Sequence, residues 1–346
     1  MLLHYLGGVL VIFGHQFELL GVDAPYICGV KLHSLGLYLL FIISGYLTEG
    51  SFERSKGTID FLKKRFMRIY PPFVICVLVT VLGMLIITEV DLHSYAASAF
   101  HYIVDNLRLC INFSLRGCFE QNIYSGVTNG ALWTIPIEIA CYLTLPLIHK
   151  LLLHIKDNIS VFVIFIITII FELIYFYIHF DDFYLYTVSF RSFLHLSPFF
   201  FMGVLYKLAL NRFCNVKVAL LIFFVMVLST SLINDVAFSS LIVLLLAPYI
   251  IISVGELKKI HSFRIDCAYE IYLYGFPIQQ LVLFVLGINE VVGVLSYGQI
   301  FFLAIISFLF ISAWALVLYQ ANHFIIQVIR NTVNKLSSGI GLEGKV

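Results

Sequence analysis

Residues 41–72 read FIISGYLTEGSFERSKGTIDFLKKRFMRIYPP. An apolar run ends in Ser44-Gly45-Tyr46, and the next apolar run starts after Pro71-Pro72. Cytoplasmic connections between membrane spans carry an excess of Lys and Arg. The stretch therefore predicts two membrane helices joined on the cytoplasmic side, and its basic side chains also offer a place to hold phosphate. These side chains are Arg54, Lys56, Lys63, Lys64, Arg65 and Arg68.

The composition extends this prediction to the whole chain of 346 residues. Hydrophobic residues make up 61%, charged residues 12%, and the mean hydropathy is +1.00. Apolar runs near 20 residues recur along the length, as in polytopic α-helical membrane proteins, whereas barrel strands would alternate with period two. We expect an all-α bundle and no nucleic-acid partner. The ten predicted spans are 2–20, 32–48, 71–90, 131–153, 159–180, 189–210, 216–234, 237–254, 266–288 and 296–325.

The distribution of Lys and Arg predicts the orientation of these ten spans. With both termini in the cytoplasm, 17 of the 21 basic residues fall inside and 4 outside. This is the bias that positive-inside orientation produces. We therefore expect a multi-pass protein with 1–330 as its membrane domain and 331–346 as a short, loose cytoplasmic tail.

Two titratable residues within spans are the first candidates for chemistry, because such residues are costly in a membrane. His15 lies in the first span and Glu138 in the fourth, each predicted to be in the outer half at similar depth. A His beside a carboxylate suits a general base and its orienting partner. The alternative for His15 is a structural histidine that is hydrogen-bonded within the bundle.

Other polar residues in the spans are weaker candidates for a catalytic role. His195, with the nearby Arg191, is a candidate contact to an acceptor on the outer side. Glu172 is expected to be isolated, with a role in helix pairing, and Glu270 is expected to reach the inner interface. The seven cysteines show no metal-like spacing, and a Cys110–Cys118 disulfide or free thiols are both open.

The basic part of the opening stretch predicts an amphipathic helix at the inner surface. Arg65 and Arg68 are three residues apart and so share one helix face. One interpretation is a contact with anionic lipid, which explains any basic cluster. The other is an anion site for a phosphorylated cytoplasmic cofactor, because Arg offers bidentate geometry to phosphate. Charge alone does not separate the two.

Several short motifs occur in a specific order: FIISGYL, RFMRIYPP, LWTIPIEIACYLTLP and AYEIYLYGFPIQQ. Together they resemble the membrane-bound acyltransferase-3 family, the bacterial O-acyltransferases that modify surface polysaccharides. The resemblance implies transfer of an acyl group, usually acetyl, from cytoplasmic acyl-CoA to a sugar hydroxyl outside, without a metal. It also implies location in the bacterial inner membrane, among membrane lipid, with a surface polysaccharide or lipid-linked glycan as acceptor.

The resemblance assigns roles to individual residues. His15 and Glu138 match the catalytic positions, where His15 deprotonates the acceptor or accepts the acyl group itself. Trp133 matches the tryptophan of the fourth span and is predicted to contact substrate, with Arg191 and His195 as further contacts. The donor-binding positions are Arg65, Arg68, Ser44, Gly45 and Tyr46.

Three positions depart from the family pattern. His4 stands where the family has Arg or Lys, Gly275 stands where it often has a histidine, and His323 takes the place of a glutamate near the end of the last span. A rival class is a transporter or flippase for a lipid-linked oligosaccharide, and a third is a glycan polymerase. Transporters tend to carry internal repeats, and the sequence shows no convincing pair of halves.

Overall fold

The computed structural model describes residues 2–152, 157–210, 214–233, 235–256, 266–288 and 295–339. The predicted all-α membrane bundle is confirmed, with a helix at each of the ten predicted spans. Within the described ranges, eight helices are long and apolar enough to cross a membrane. The helices are α1 Leu2–Leu19, α2 Leu32–Glu53, α3 Thr58–Met84, α4 Leu92–Leu107, α5 Thr134–Leu152, α6 Asp157–Tyr177, α7 Phe190–Leu205, α8 Val216–Leu232, α9 Val236–Gly255, α10 Ala268–Val285 and α11 Tyr297–Gly339.

Short elements complete the described part of the chain. Two hairpins, β1 (Tyr26–Ile27) with β2 (Val30–Lys31) and β3 (Tyr184–Leu185) with β4 (Val188–Ser189), precede α2 and α7. A 3₁₀ turn, Gly130–Trp133, leads into α5, and a π-helical turn, Tyr206–Leu210, follows α7. We call the end of the bundle that carries the two hairpins the hairpin face. The opposite end, with residues 54–64, is the basic face.

The structure differs from the predicted elements in three places. The helix α4 lies between the predicted spans 71–90 and 131–153 and belongs to neither. The predicted surface helix around Arg65 and Arg68 is part of α3, which continues through Pro71 and Pro72. The helix α11 runs on to Gly339, past the predicted start of a loose tail at 331. The basic residues Lys156, Arg212, Lys258, Lys259, Arg264 and Lys345, and the end of the predicted tail at 340–346, lie outside the described residues.

An internal repeat of a helix–hairpin–helix unit, which the sequence analysis did not detect, relates the first part of the chain to a later part. The pairs of β1 with β2, Tyr26↔Lys31 and Ile27↔Val30, recur 158 residues later as Tyr184↔Ser189 and Leu185↔Val188. The amide of Leu32 bonds the carbonyl of Pro25, and the amide of Phe190 bonds that of Phe183, both at 2.9 Å. The unit α1–hairpin–α2 therefore recurs as α6–hairpin–α7. The sequence did not reveal the repeat because few residues are identical between its copies.

The two copies meet through a close contact between α2 and α7. A Cβ on Gly45 would lie 1.9 Å from the carbonyl oxygen of Phe200, and a Cβ on Gly203 would lie 2.0 Å from that of Ile42. With the 158-residue offset, Gly203 corresponds to Gly45 and Phe200 to Ile42. The contact is thus reciprocal, as across a two-fold axis. Small residues let helix backbones approach in a membrane, where packing rather than hydrophobic burial holds helices together.

The segment between α3 and α5 folds back into the bundle and does not form a simple outer loop. Asn122 Nδ2 donates to Gln280 Oε1 at 2.7 Å, and Asn129 Nδ2 donates to the carbonyl of Leu273 at 3.0 Å. Both asparagines are buried. These bonds tie the segment to the middle of α10, so α5 begins below the hairpin face.

All seven cysteines are free thiols, so the predicted alternative of a Cys110–Cys118 disulfide is wrong. Cys118 is fully buried in the same segment, and its Sγ lies 3.8 Å from the carbonyl of Met84. Burial raises the pKa of the Cys118 thiol to about 11, which keeps it protonated.

The reciprocal glycine contact makes a testable prediction. Gly203→Ala would force α2 and α7 apart, at a cost of about 1–3 kcal/mol of unfolding free energy. A matched control is Gly83→Ala, because a Cβ there meets nothing within 4 Å. We expect thermal unfolding in detergent to show a lower midpoint for Gly203→Ala and an unchanged or higher midpoint for Gly83→Ala. Equal midpoints for the two variants would contradict the contact.

Candidate active site

A cavity of about 1040 Å³ enters the bundle from the basic face, between α1, α2, α3, α5, α10 and α11. Three exposed basic residues, Lys63, Lys64 and Arg68, stand at its mouth. On α2 its wall runs from Ser51 to Leu37. These fifteen residues span about 21 Å, because an α-helix rises about 1.5 Å from each residue to the next. The cavity therefore reaches deep into the bundle and has the volume of a site for a large cofactor.

Thr134 and Tyr272 line the deep end of the cavity. Their hydroxyls are 2.6 Å apart, and the hydroxyl of Tyr272 donates to the carbonyl of Ala131 at 3.1 Å. This network joins the start of α5 to α10 and places two hydroxyls where a ligand entering from the basic face would end.

Glu138 lies in the wall of this cavity together with Ser44. The Ser44 hydroxyl donates to Glu138 Oε1 at 2.8 Å, and the Tyr142 hydroxyl donates to the same oxygen at 2.5 Å. Tyr142 is one turn after Glu138 on α5, so their side chains share a face. The structure thus brings together two predicted site residues from distant segments, and it adds Tyr142, which the sequence analysis did not select.

The two arginines of the opening stretch also line the cavity. Arg65 is partly buried, with its guanidinium carbon 5.8 Å from the ring centre of Tyr142 and Nη1 3.5 Å from Thr48 Oγ1. Its buried Nε has no hydrogen-bond partner among the described residues. Arg68 is exposed at the mouth. The pair therefore presents cationic donors to the cavity at two depths.

His15 lies beyond the deep end of the cavity, in a layer with His33 and Phe276. The ring centres of His15 and His33 are 5.3 Å apart, and the edge of Phe276 faces His15 at 5.7 Å. Phe276 is one turn from Tyr272 on α10, so the layer begins about 5–6 Å past the cavity. Among the described residues, the side chain of His15 has these two ring contacts and no hydrogen bond. Its role as a base or as a structural histidine stays a prediction.

His33 is the neighbour of His15 that the sequence analysis missed. A Cβ on Gly14 would lie 2.4 Å from the backbone nitrogen of His33. Gly14 therefore lets the start of α2 approach α1 and sets the two imidazoles side by side. The buried Nδ1 of His33 has no partner among the described residues. The signal in the sequence was a glycine beside the first-span histidine and a second histidine at the start of the second span.

The structure does not place Glu138 beside His15, so the predicted match in depth is wrong. Glu138 bonds Ser44, whereas His15 adjoins His33, eleven residues away on α2. That separation is about 16 Å along the helix axis. The prediction counted residues from a loop assumed to lie at the membrane surface. Because the segment before α5 is folded into the bundle, the whole of α5 lies deeper.

Gly45 and Tyr46, predicted to bind the donor with Ser44, lie on other faces of α2. Gly45 packs against α7 at Phe200. The Tyr46 hydroxyl donates to Glu256 Oε1 at 2.7 Å, and Lys207 Nζ lies 5.3 Å from the centre of its ring. Neither residue is part of the cavity wall, because successive residues of a helix point about 100° apart.

The three predicted substrate contacts lie apart from the cavity. Both ring nitrogens of His195 are engaged inside the bundle, Nδ1 with Glu172 at 3.3 Å and Nε2 with the Tyr38 hydroxyl at 2.7 Å. Arg191 donates to the carbonyl of Tyr175 and lies over its ring. Trp133 is partly buried against the core.

The sequence analysis expected Glu172 to be isolated, but the structure gives it two partners. Besides contacting His195, it accepts a hydrogen bond from Ser240 Oγ at 2.5 Å. Because Glu172 is on α6, His195 on α7 and Ser240 on α9, the carboxylate ties three helices together, in line with its predicted role in helix pairing.

Two of the positions that depart from the family pattern, His4 and His323, line the cavity wall. His4 Nδ1 is 3.9 Å from Asp266 Oδ2. Glu270 was expected to reach the inner membrane interface, but it does not. It is buried, and its Oε1 accepts a hydrogen bond from Asn322 Nδ2 at 2.9 Å. The described residues contain no group of three or more His, Cys, Asp or Glu side chains that could hold a metal ion.

Comparison with protein families identifies the kind of enzyme to which this cavity belongs. A family model described as an acyltransferase domain matches residues 2–321. The chain belongs to the acyltransferase-3 family. It is therefore a membrane acyltransferase, as the resemblance implied, and not a transporter or a polymerase.

Three curated relatives are similar to this chain over different lengths. An O-acetyl transferase of Shigella phage Sf6 is 27% identical over 296 residues, covering 80% of this chain and 82% of the relative. Nodulation protein 10 of Rhizobium leguminosarum bv. viciae is 26% identical over 150 residues, 41% of each chain. An uncharacterized protein of Haemophilus influenzae is 32% identical over 149 residues, 38% of this chain and 55% of the relative. No solved structure matches.

The position of Ser44 inside the acyltransferase cavity predicts its accessibility. In Ser44→Cys, we expect a water-soluble anionic thiol reagent to enter at the basic mouth and modify residue 44. Ser197→Cys is the matched control, because Ser197 is fully buried on α7 and outside the cavity. Mass spectrometry of the labelled peptides should give at least tenfold faster modification at 44 than at 197. Equal rates would mean that the cavity is closed to water.

Proposed function

We propose that this acyltransferase moves an acetyl group from cytoplasmic acetyl-CoA to a hydroxyl of a sugar outside the cell. The acceptor is a surface polysaccharide or a lipid-linked glycan, and the protein is in the bacterial inner membrane. The observation that carries the proposal is the cavity, which leads from a basic mouth to buried hydroxyls and a carboxylate. A donor with phosphates at one end and a thioester at the other matches this order.

The orientation in the proposal places the basic face in the cytoplasm. The distribution of 17 basic residues against 4 supports it. The amino end of α1 and the carboxyl half of α11 both contribute to the cavity wall near this face, through His4 and Gln327. Both termini are then cytoplasmic, and the hairpin face meets the acceptor outside.

The donor is held in two places in this proposal. Arg65 and Arg68 bind its phosphates, because guanidinium groups pair with phosphate oxygens in a bidentate manner. Lys63 and Lys64 add charge at the mouth. The remaining length of the cavity, within the 21 Å measured along α2, accommodates the pantetheine arm. The thioester then lies near Thr134 and Tyr272, one turn from His15.

Acetyl is the proposed acyl group because the relative from Shigella phage Sf6 is an O-acetyl transferase and spans most of this chain. His15 takes the proton from the acceptor hydroxyl as its oxygen attacks the thioester carbonyl. The C–S bond breaks, and the CoA thiolate leaves with a proton returned by His15.

Glu138 acts within the cavity in this mechanism and not as the partner of His15. Its carboxylate holds the hydroxyls of Ser44 and Tyr142 in the wall that the pantetheine arm passes. Trp133 and Arg191, nearer the hairpin face, are proposed to contact the sugar. His195 would do so only after leaving Glu172 and Tyr38.

Donor binding provides the first test. In purified protein, Arg68→Ala should weaken acetyl-CoA binding by about tenfold or more, because a charge-assisted bond to phosphate is lost. Lys217→Ala is the control, since Lys217 is exposed, predicted to be on the same side, and outside the cavity. Isothermal titration calorimetry measures both. Wild-type protein that does not bind acetyl-CoA would refute the proposed donor.

The role of His15 provides the second test. His15→Ala, produced at the wild-type level, should abolish acetylation of the surface glycan, as measured by mass spectrometry of the isolated polysaccharide. His101→Ala is the matched control, because His101 is exposed on α4. Undiminished acetylation by His15→Ala would eliminate His15 as the base.

A further inference from the structure

The wall of the cavity carries a buried amide to which the proposed mechanism assigns no role. Asn322 on α11 is 2% exposed and lines the cavity. Its Nδ2 donates to Glu270 Oε1 at 2.9 Å, whereas its Oδ1 is buried without a hydrogen-bond partner among the described residues. An unpaired buried carbonyl costs about 1–3 kcal/mol. A bound molecule that donates a hydrogen bond would remove this cost.

Glu270 fixes the orientation of the Asn322 amide. A carboxylate only accepts hydrogen bonds, so the NH₂ group of Asn322 turns toward Glu270 and the carbonyl oxygen turns away from it. Glu270 itself is 4% exposed, on the first turn of α10. The pair therefore presents a fixed acceptor, and the group that it selects must carry an N–H or O–H.

The position of the pair along the cavity identifies which part of a donor it meets. The Tyr269 hydroxyl donates to the carbonyl of Ile69 at 3.2 Å, so the start of α10 lies beside the residue that follows Arg68. Tyr272, two residues past Glu270, reaches the deep end at Thr134. Glu270 and Asn322 thus lie between the arginines and the deep hydroxyls.

We propose that Asn322 Oδ1 accepts a hydrogen bond from an amide N–H of the pantetheine arm, and that Glu270 is its positioning residue. This inference rests on the proposed function, because it assumes an acyl-CoA donor. Phosphates stay at the basic mouth, the thioester lies at the deep end, and the two amides of pantetheine are the N–H groups between them. The pair thereby distinguishes a pantetheine thioester from other phosphorylated anions that the arginines would also attract.

The first test compares two ligands on the purified full chain. Asn322→Leu should weaken acetyl-CoA binding by about tenfold, the worth of one buried hydrogen bond. The same variant should bind adenosine 3′,5′-bisphosphate, which lacks pantetheine, as tightly as wild type does, and this also reports that it is folded. Gln320→Leu, an exposed amide on α11, is the control and should leave both affinities unchanged.

The second test uses the wild-type protein, so it does not depend on the folding of a variant. Acetyl-CoA analogues in which one pantetheine amide at a time is replaced by an ester lack one N–H. One analogue should bind wild type about tenfold more weakly than acetyl-CoA does. On Asn322→Leu, the same analogue and acetyl-CoA should bind with equal affinity, because the hydrogen bond is already lost, as in a double-mutant cycle.

The outcomes separate the two proposals. If wild type binds no acetyl-CoA, the proposed donor is wrong. If wild type binds acetyl-CoA and neither analogue loses affinity, the donor stands and the role of Asn322 is refuted. Equal weakening of acetyl-CoA and the bisphosphate by Asn322→Leu would likewise refute it, because the contact would then be to the nucleotide.

Discussion

The close contact of α2 with α7 is the constraint on which the rest of the structure depends. Gly45 and Gly203 each receive a backbone carbonyl of the other helix, in positions related by 158 residues. The contact aligns two copies of a helix–hairpin–helix unit side by side. With one face of α2 held against α7, its other faces are assigned to α1 and to the cavity. Ser44 therefore reaches Glu138, whereas its neighbours Gly45 and Tyr46 do not face the cavity.

The two copies of the repeat have diverged in their polar groups. In the second copy, Glu172 and His195 bond each other. Glu172 also bonds Ser240, and His195 also bonds Tyr38, so the pair joins several helices. In the first copy, His15 and His33 lie side by side with no such partners in the described structure. Buried polar groups are normally hydrogen-bonded. Under the proposed function, the acceptor would complete the hydrogen bonds of this pair.

Burial of the segment before α5 separates the cavity from the hairpin face. Asn122 and Asn129 anchor this segment to α10, and their amides replace the water that an outer loop would contact. As a result, α5 starts deep in the bundle and Glu138 lies in the wall of the cavity that opens at the basic face. The layer of His15 lies beyond the deep end of this cavity. Under the proposed function, this arrangement would keep donor and acceptor on opposite sides of the membrane until they meet across one helical turn.

The sequence by itself determined that each of ten long apolar runs forms a helix, because a continuous apolar run satisfies its backbone hydrogen bonds in a membrane by forming a helix. Its motifs also indicated the family and selected Ser44, Arg65, Arg68 and Glu138, which share one cavity. Only the tertiary structure decided depth and partners. Counting along the chain cannot show that a polar segment folds inward, so it paired His15 with Glu138 and missed His33. Nor can it show that Glu270 meets Asn322, 52 residues away, since that contact depends on how α10 and α11 pack in space.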